Sequence, residues 1–104
     1  MGTMQELQDL VVKFRADRGW GKYHTVQNLC LAIASETGEL CHEVRWGNGF
    51  DIEAVRVEMA DIAIFLLSLA DVIGVDLEHV IIKKVRDNSI RYPVGGDRGS
   101  DKEL

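Results

Sequence analysis

Apolar residues recur along this chain at helical rather than strand spacing, and four such segments can be drawn. The first is predicted over Thr3 to Ala16, where Leu7, Leu10, Val11 and Phe14 fall on one stripe. A turn-rich stretch from Asp17 to His24 follows, carrying Gly19, Trp20, Gly21 and Tyr23. The second helix is predicted from Val26 to Trp46, with Thr25 as its N-cap and Gly47-Asn48-Gly49 as its stop. The third runs from Ile52 to Ile73, capped by Asp51 and stopped by Gly74. The fourth runs from Leu77 to Arg91, capped by Asp76, with Pro93 just past its end. No segment alternates as a strand would. The expected fold is therefore all-α, and short connections favour antiparallel neighbours in a four-helix bundle-type arrangement. Residues 1–93 are expected to form one helical domain, and the glycine-rich, charged residues 94–104 a flexible tail.

The third predicted helix is apolar on almost its full circumference, through Val57, Ala60, Ile62, Ala63, Ile64, Phe65, Leu66, Leu67, Leu69 and Ala70. Such a helix must be covered on nearly all sides. Three other short helices in one copy are too few for that, so the pattern predicts a homodimer built around this element.

Composition narrows the function classes. The chain has 104 residues, 46% of them hydrophobic, a single proline, and a formal net charge of −5. That balance gives it no electrostatic reason to bind a nucleic acid polymer or an anionic membrane. If phosphates are handled, a bound cation or a local basic cluster must do it. No apolar run is long enough to span a bilayer and no charged-then-apolar leader opens the chain, so a cytoplasmic protein is expected. Cys30 and Cys41 lie about three helical turns apart, too far to bridge, and are expected as reduced thiols in or near the core.

The unusual feature is where the acids fall. Glu36 and Glu39, with Glu43 after them, share one stripe of the second helix, bordering Leu29, Ile33, Leu40 and Val44. Glu58 and Asp61 repeat the three-residue spacing on the third helix, beside Ala54, Ile62, Phe65 and Leu69. A single such pair is ordinary on a solvated face. Two pairs on successive helices, both bordering apolar stripes and without matching lysines or arginines, are not. Clustered carboxylates near a core repel and lose hydration, and a hard cation resolves both conflicts. All-oxygen ligation suits magnesium, with manganese as the alternative.

With these residues in view, the sequence resembles the MazG-like, all-α nucleoside triphosphate pyrophosphohydrolases, especially the short single-domain branch that includes the dCTP pyrophosphatases. The family signature, Glu-x-x-Glu followed by Glu-x-x-Asp, reads here as Glu36-Thr-Gly-Glu39 and Glu58-Met-Ala-Asp61. The likeness extends to Trp20, Tyr23-His24, Asn28-Leu29, Trp46 and the closing run from Lys84 to Pro93.

The resemblance implies that Glu36, Glu39, Glu58 and Asp61 are metal ligands and the catalytic set. It implies release of a nucleoside monophosphate and pyrophosphate from an NTP or dNTP, as house-cleaning of the nucleotide pool. One acid, for which Glu39 is the candidate, would also serve as general base. Lys84, Asn88, Arg91 and Tyr92 share a face of the fourth helix and are implied phosphate contacts; basic residues are favoured at a helix C-terminus in any case. Trp20 and Trp46 are implied to stack on the base, with His24 and Asn28 bonding to sugar or base, although either could simply cap the second helix. Phe65 and Val11 replace a tyrosine and a base-contacting histidine of the vertebrate dCTP pyrophosphatases, which puts strict cytosine preference in question. Family members of this size form dimers and dimers of dimers.

Two rival readings remain. Glu39-Leu-Cys-His42, with Asp76-Leu-Glu-His79 as a weaker echo, imitates the Glu-x-x-His pairs of ferritin-like di-iron proteins. His42, however, projects about 60° from the Glu36–Glu39 stripe. The other reading is a non-catalytic module that binds a nucleotide or partner without turning it over.

Overall fold

The first helix begins where Thr3 can cap it: its hydroxyl accepts the Glu6 amide at 3.0 Å. The same device opens every other helix. Thr25 accepts from the Asn28 amide at 3.1 Å, Asp51 from Glu53 at 2.9 Å, and Asp76 from His79 at 3.1 Å. Each side chain satisfies a donor that the helix leaves unpaired at its start. In the computed structural model, which describes residues 3–47 and 49–95, the elements are α1 (Met4–Asp17), a 3-10 turn (Trp20–Lys22), α2 (Val26–Val44), α3 (Ile52–Ile73) and α4 (Leu77–Arg91). Among the described residues there is no strand. The fold is all-α.

α3 and α4 have the predicted bounds, and Gly74 ends α3 in left-handed backbone (φ 72°), with the Val75 amide returning to the Ala70 carbonyl at 2.8 Å. α2 is shorter than predicted. It stops at Val44, because the chain must already be unwinding to reach Gly47 at φ 73°, so Arg45 and Trp46 sit in the exit turn. The expected tail over 96–104 lies outside the described residues; Val94 and Gly95 form a turn.

Packing is uneven. α2 and α3 form the closest pair, α1 packs on α3 and on the 3-10 turn, and α4 packs on α1. The buried residues are few among the described ones: Val11, Leu29, Leu67 and Ala70, together with Ser68 and Arg15, and of these only Leu29 and Ser68 are fully enclosed. Ser68 donates back to the Ile64 carbonyl at 2.9 Å and so hides its hydroxyl within the helix. α4 buries nothing. One expectation about the core needs correcting. Cys30 and Cys41 are exposed rather than packed, because each faces away from the α2–α3 contact. Leu7, Leu10 and Phe14 are largely open, lining with Val11 and Ile64 an apolar groove of about 300 Å³. The radius of gyration is 16.4 Å, against about 13 Å for a compact domain of about 100 residues. The chain is extended for its length.

Candidate active site

Helical periodicity puts Glu36 on the face of α2 that meets α3, and Glu58 and Asp61 on the answering face of α3. A carboxylate oxygen from each comes within 4.8 Å of the other two. All three side chains are half-buried. Oε2 of Glu36 and Oε2 of Glu58 are closed off from solvent and have no hydrogen-bond donor. Two ionised carboxylates in this position would be orphaned acceptors that also repel. The chain's own relief is to share a proton. Glu58 is pushed from 4.5 up to about 7, first by its hydrogen bond to Glu36, then by burial, then by the charges of Glu39 and Glu36. Glu39, one turn along α2 and exposed, thus adds its field, and a hydrogen bond, to the same group. Glu43 is half-buried a turn further on.

Orphaned, converging, all-oxygen acceptors are what a divalent cation takes. Glu36, Glu58 and Asp61 fit such an ion, and Glu39 stands beside them. Among the described residues no histidine joins the group, and His42 pairs instead with Arg45. That removes the nitrogen ligands a di-iron arrangement of this kind requires.

A second cluster lies at the start of α2. Gly19, in left-handed backbone at φ 67°, turns the chain out of α1 and into the 3-10 turn that carries Trp20. Trp20 stands edge-on to Phe14 with ring centroids 5.3 Å apart, His24 follows at 6.2 Å from Trp20, and Phe65 lies 6.4 Å from His24. Phe65 is one turn beyond Asp61, so this aromatic row abuts the acid-bearing stretch of α3. Burial, and after it the Arg15 charge, hold the His24 pKa below 6.5, and its Nδ1 is enclosed without a partner. Asn28 spends its side chain on the Tyr23 carbonyl at 2.9 Å, which fixes the loop.

The remaining predicted residues lie apart. Trp46 is exposed beyond α2 with the Arg45 guanidinium over its ring. Lys84, Asn88, Arg91 and Tyr92 are on α4, which packs on α1 rather than on the α2–α3 pair that carries the acids. Arg91 stacks over Tyr92, and Asn88 and Tyr92 border a shallow cleft with Val85 and Ser89. Arg15 went unnoticed in the sequence. Its signal was there: it follows Val11 by four residues, a charge on the apolar stripe of α1.

No protein-family model matches the chain. It is 34% identical over 110 residues to dCTP pyrophosphatase 1 of Rattus norvegicus, covering 94% of this chain and 64% of that protein. To dCTP pyrophosphatase 1 of Homo sapiens it is 30% identical over 111 residues, covering 97% and 65%. The chain thus spans slightly less than two thirds of the length of these curated relatives. Among solved structures, it superposes on a pyrophosphatase from Archaeoglobus fulgidus with a TM-score of 0.77 and 35% identity, covering 89% of this chain and 94% of that one. With the paired Glu-x-x-Glu and Glu-x-x-Asp acids converging as described, the chain belongs to the MazG-like, all-α pyrophosphatase family.

Proposed function

We propose that this chain is a magnesium-dependent nucleoside triphosphate pyrophosphohydrolase, converting an NTP or dNTP to the monophosphate and pyrophosphate. The observation that carries the reading is the convergence of Glu36, Glu58 and Asp61 with two orphaned carboxylate oxygens. Glu36, Glu58 and Asp61 would hold the cation, with Glu39 as the fourth acid. The ion supplies charge neutralisation of the triphosphate and a more acidic bound water. Glu39, exposed and adjacent, is the candidate base that takes the proton from the attacking water. Trp20, His24 and Phe65 form the base end, where stacking is insensitive to base identity. Val11, buried and apolar, offers no hydrogen bond there. The substrate is accordingly dCTP or a non-standard nucleotide, without strict cytosine selection.

The working unit is a homodimer or a dimer of dimers. One chain exposes 7858 Å², whereas a compact monomer of its mass exposes roughly 5,800 Å². On α3, the apolar residues Val57, Met59, Leu66 and Ile73 are all open. In such an assembly α4 of one copy can bring Lys84, Asn88, Arg91 and Tyr92 to the phosphates held by another.

Incubating the purified protein with a panel of NTPs and dNTPs plus magnesium, and assaying pyrophosphate, tests the reading. Turnover that stops with chelator and returns with magnesium supports it. A folded, metal-loaded protein that turns over no nucleotide is the non-catalytic module instead. Iron binding with oxidase activity would favour the di-iron alternative.

A further inference from the structure

Four buried side-chain polar atoms lack partners among the described residues, and they fall into two pairs. Oε2 of Glu36 and Oε2 of Glu58 belong to the acid cluster. The other two, Nε of Arg15 and Nδ1 of His24, belong to the aromatic end. Arg15 is only 8% exposed, yet its one hydrogen bond is from Nη1 to Oδ2 of Asp71 at 3.2 Å. A single long contact is a poor return for burying a guanidinium, which has five donors and favours bidentate partners. As a stabilising device the pair is weak, since apolar residues of the same shape would serve as well or better.

Its position suggests a different role. Arg15 sits in the last turn of α1, just before Gly19 redirects the chain, and Asp71 sits near the end of α3. The contact ties these two helices together where the Trp20–His24 segment is suspended between them. From α1 the same segment is gripped by Phe14, which faces Trp20 on one side and has the Arg18 guanidinium 3.7 Å over its ring. On the other side the segment meets α3 through Phe65.

We infer that Arg15, clamped by Asp71, is a positioning residue for the base end of the site, holding the His24 ring between Trp20 and Phe65 so that it can bond to the nucleobase or sugar. This rests on the hydrolase reading above. Arg15 does not touch the reacting phosphates; it acts through His24. The charged groups on the elements around His24 include Arg15, Asp17 and Arg18 at the end of α1, Lys22 on the 3-10 turn, and Glu58, Asp61 and Asp71 on α3. Burial first, and then the Arg15 charge, favour the neutral imidazole, which can accept as well as donate.

The test is the pair of variants Arg15→Met/Asp71→Asn, which removes both charges at similar volume, and Arg15→Lys, which keeps the charge and the tie. With the best nucleotide from the panel, the double variant should raise KM by about tenfold while kcat stays within about twofold, and Arg15→Lys should recover most of that loss. Independently of turnover, the His24 ring followed by NMR should titrate below 6.5 in the unaltered protein and move upward in the double variant. An unchanged KM in a folded double variant, or a fall in kcat alone, overturns the inference. An unchanged His24 titration overturns it too. If the unaltered protein turns over no nucleotide, the hydrolase reading fails by itself, and the His24 titration still decides whether Arg15 acts on that ring. Should the double variant not fold, Asp71→Asn alone decides, since it cuts the tie and keeps the Arg15 charge: a raised KM with kcat held supports the inference, and an unchanged KM overturns it.

Discussion

The acid end and the aromatic end of the site are built on different supports. Glu36, Glu58 and Asp61 project from the middle of two long helices in close contact, where backbone hydrogen bonding leaves each side chain one direction to point. Trp20 and His24 hang on a short turn and a loop, held by a glycine in left-handed backbone, the Asn28 bond to Tyr23, and a thread of ring contacts. The first end places charge; the second places surfaces. On the proposed function, the chemistry would sit on the rigid frame and the recognition on the connection.

The largest break should come at the acid end. Glu58→Gln is expected to lower kcat/KM by about a hundredfold or more, since it removes a ligand and a charge at once. Thermal melting of the metal-free variant should be unchanged or higher than that of the unaltered protein, because a repelling carboxylate is gone. A variant that keeps activity would remove Glu58 from the ligand set. The aromatic end should answer differently. Trp20→Ala loses a stacking surface worth about 1–3 kcal/mol per base, which should appear mainly in KM. A kcat loss with unchanged KM would place Trp20 outside the base slot.

pH separates the two ends further. Folded Glu58 keeps its proton up to about 7, while an unfolded glutamate releases it near 4.5. The folded state therefore binds the extra proton between those values, and metal-free stability falls as pH rises through that window. Melting temperatures of the chelated protein should thus decline from pH 4.5 to 7 and then level off. Magnesium should raise the melting temperature more at pH 8 than at pH 5, where the proton competes for the same oxygen. A flat profile without metal would contradict the shared proton between Glu58 and Glu36.

The smallest effects come from two caps. Thr25→Ala and Asp51→Ala should each destabilise the fold by about 1 kcal/mol. Asp51 holds only the start of α3, so its loss should leave KM alone. Thr25 follows His24 directly, and its loss should also raise KM measurably. Equal kinetics in the two variants would mean that the loop is held by its ring contacts without help from the cap.

How much of this could be read beforehand follows the same division. The bounds of α3 and α4, the caps at Thr25, Asp51 and Asp76, and the convergence of Glu36, Glu58 and Asp61 follow from periodicity and capping chemistry, which act within a few residues; Thr3, read as the first helical residue, turned out to be the cap of α1. The early end of α2 was not legible, because Arg45 and Trp46 are good helix residues displaced by what the following glycines require. Nor was the exposure of Cys30 and Cys41. An apolar stripe says that a face wants cover, but not whether the same chain supplies it. Arg15 is the instructive miss: a charge on the core stripe of α1 has meaning only once Asp71, 56 positions away, is seen beside it.

The two tryptophans give the molecule an optical asymmetry. Trp20, edge-on to Phe14 and 41% exposed, and Trp46, under the Arg45 guanidinium and 73% exposed, meet water to different degrees. Their emission should separate into a blue component and a red one. Replacing Trp46 by Phe leaves a single indole at the edge of the proposed base slot, so intrinsic fluorescence alone would time the arrival of a nucleotide if it binds there.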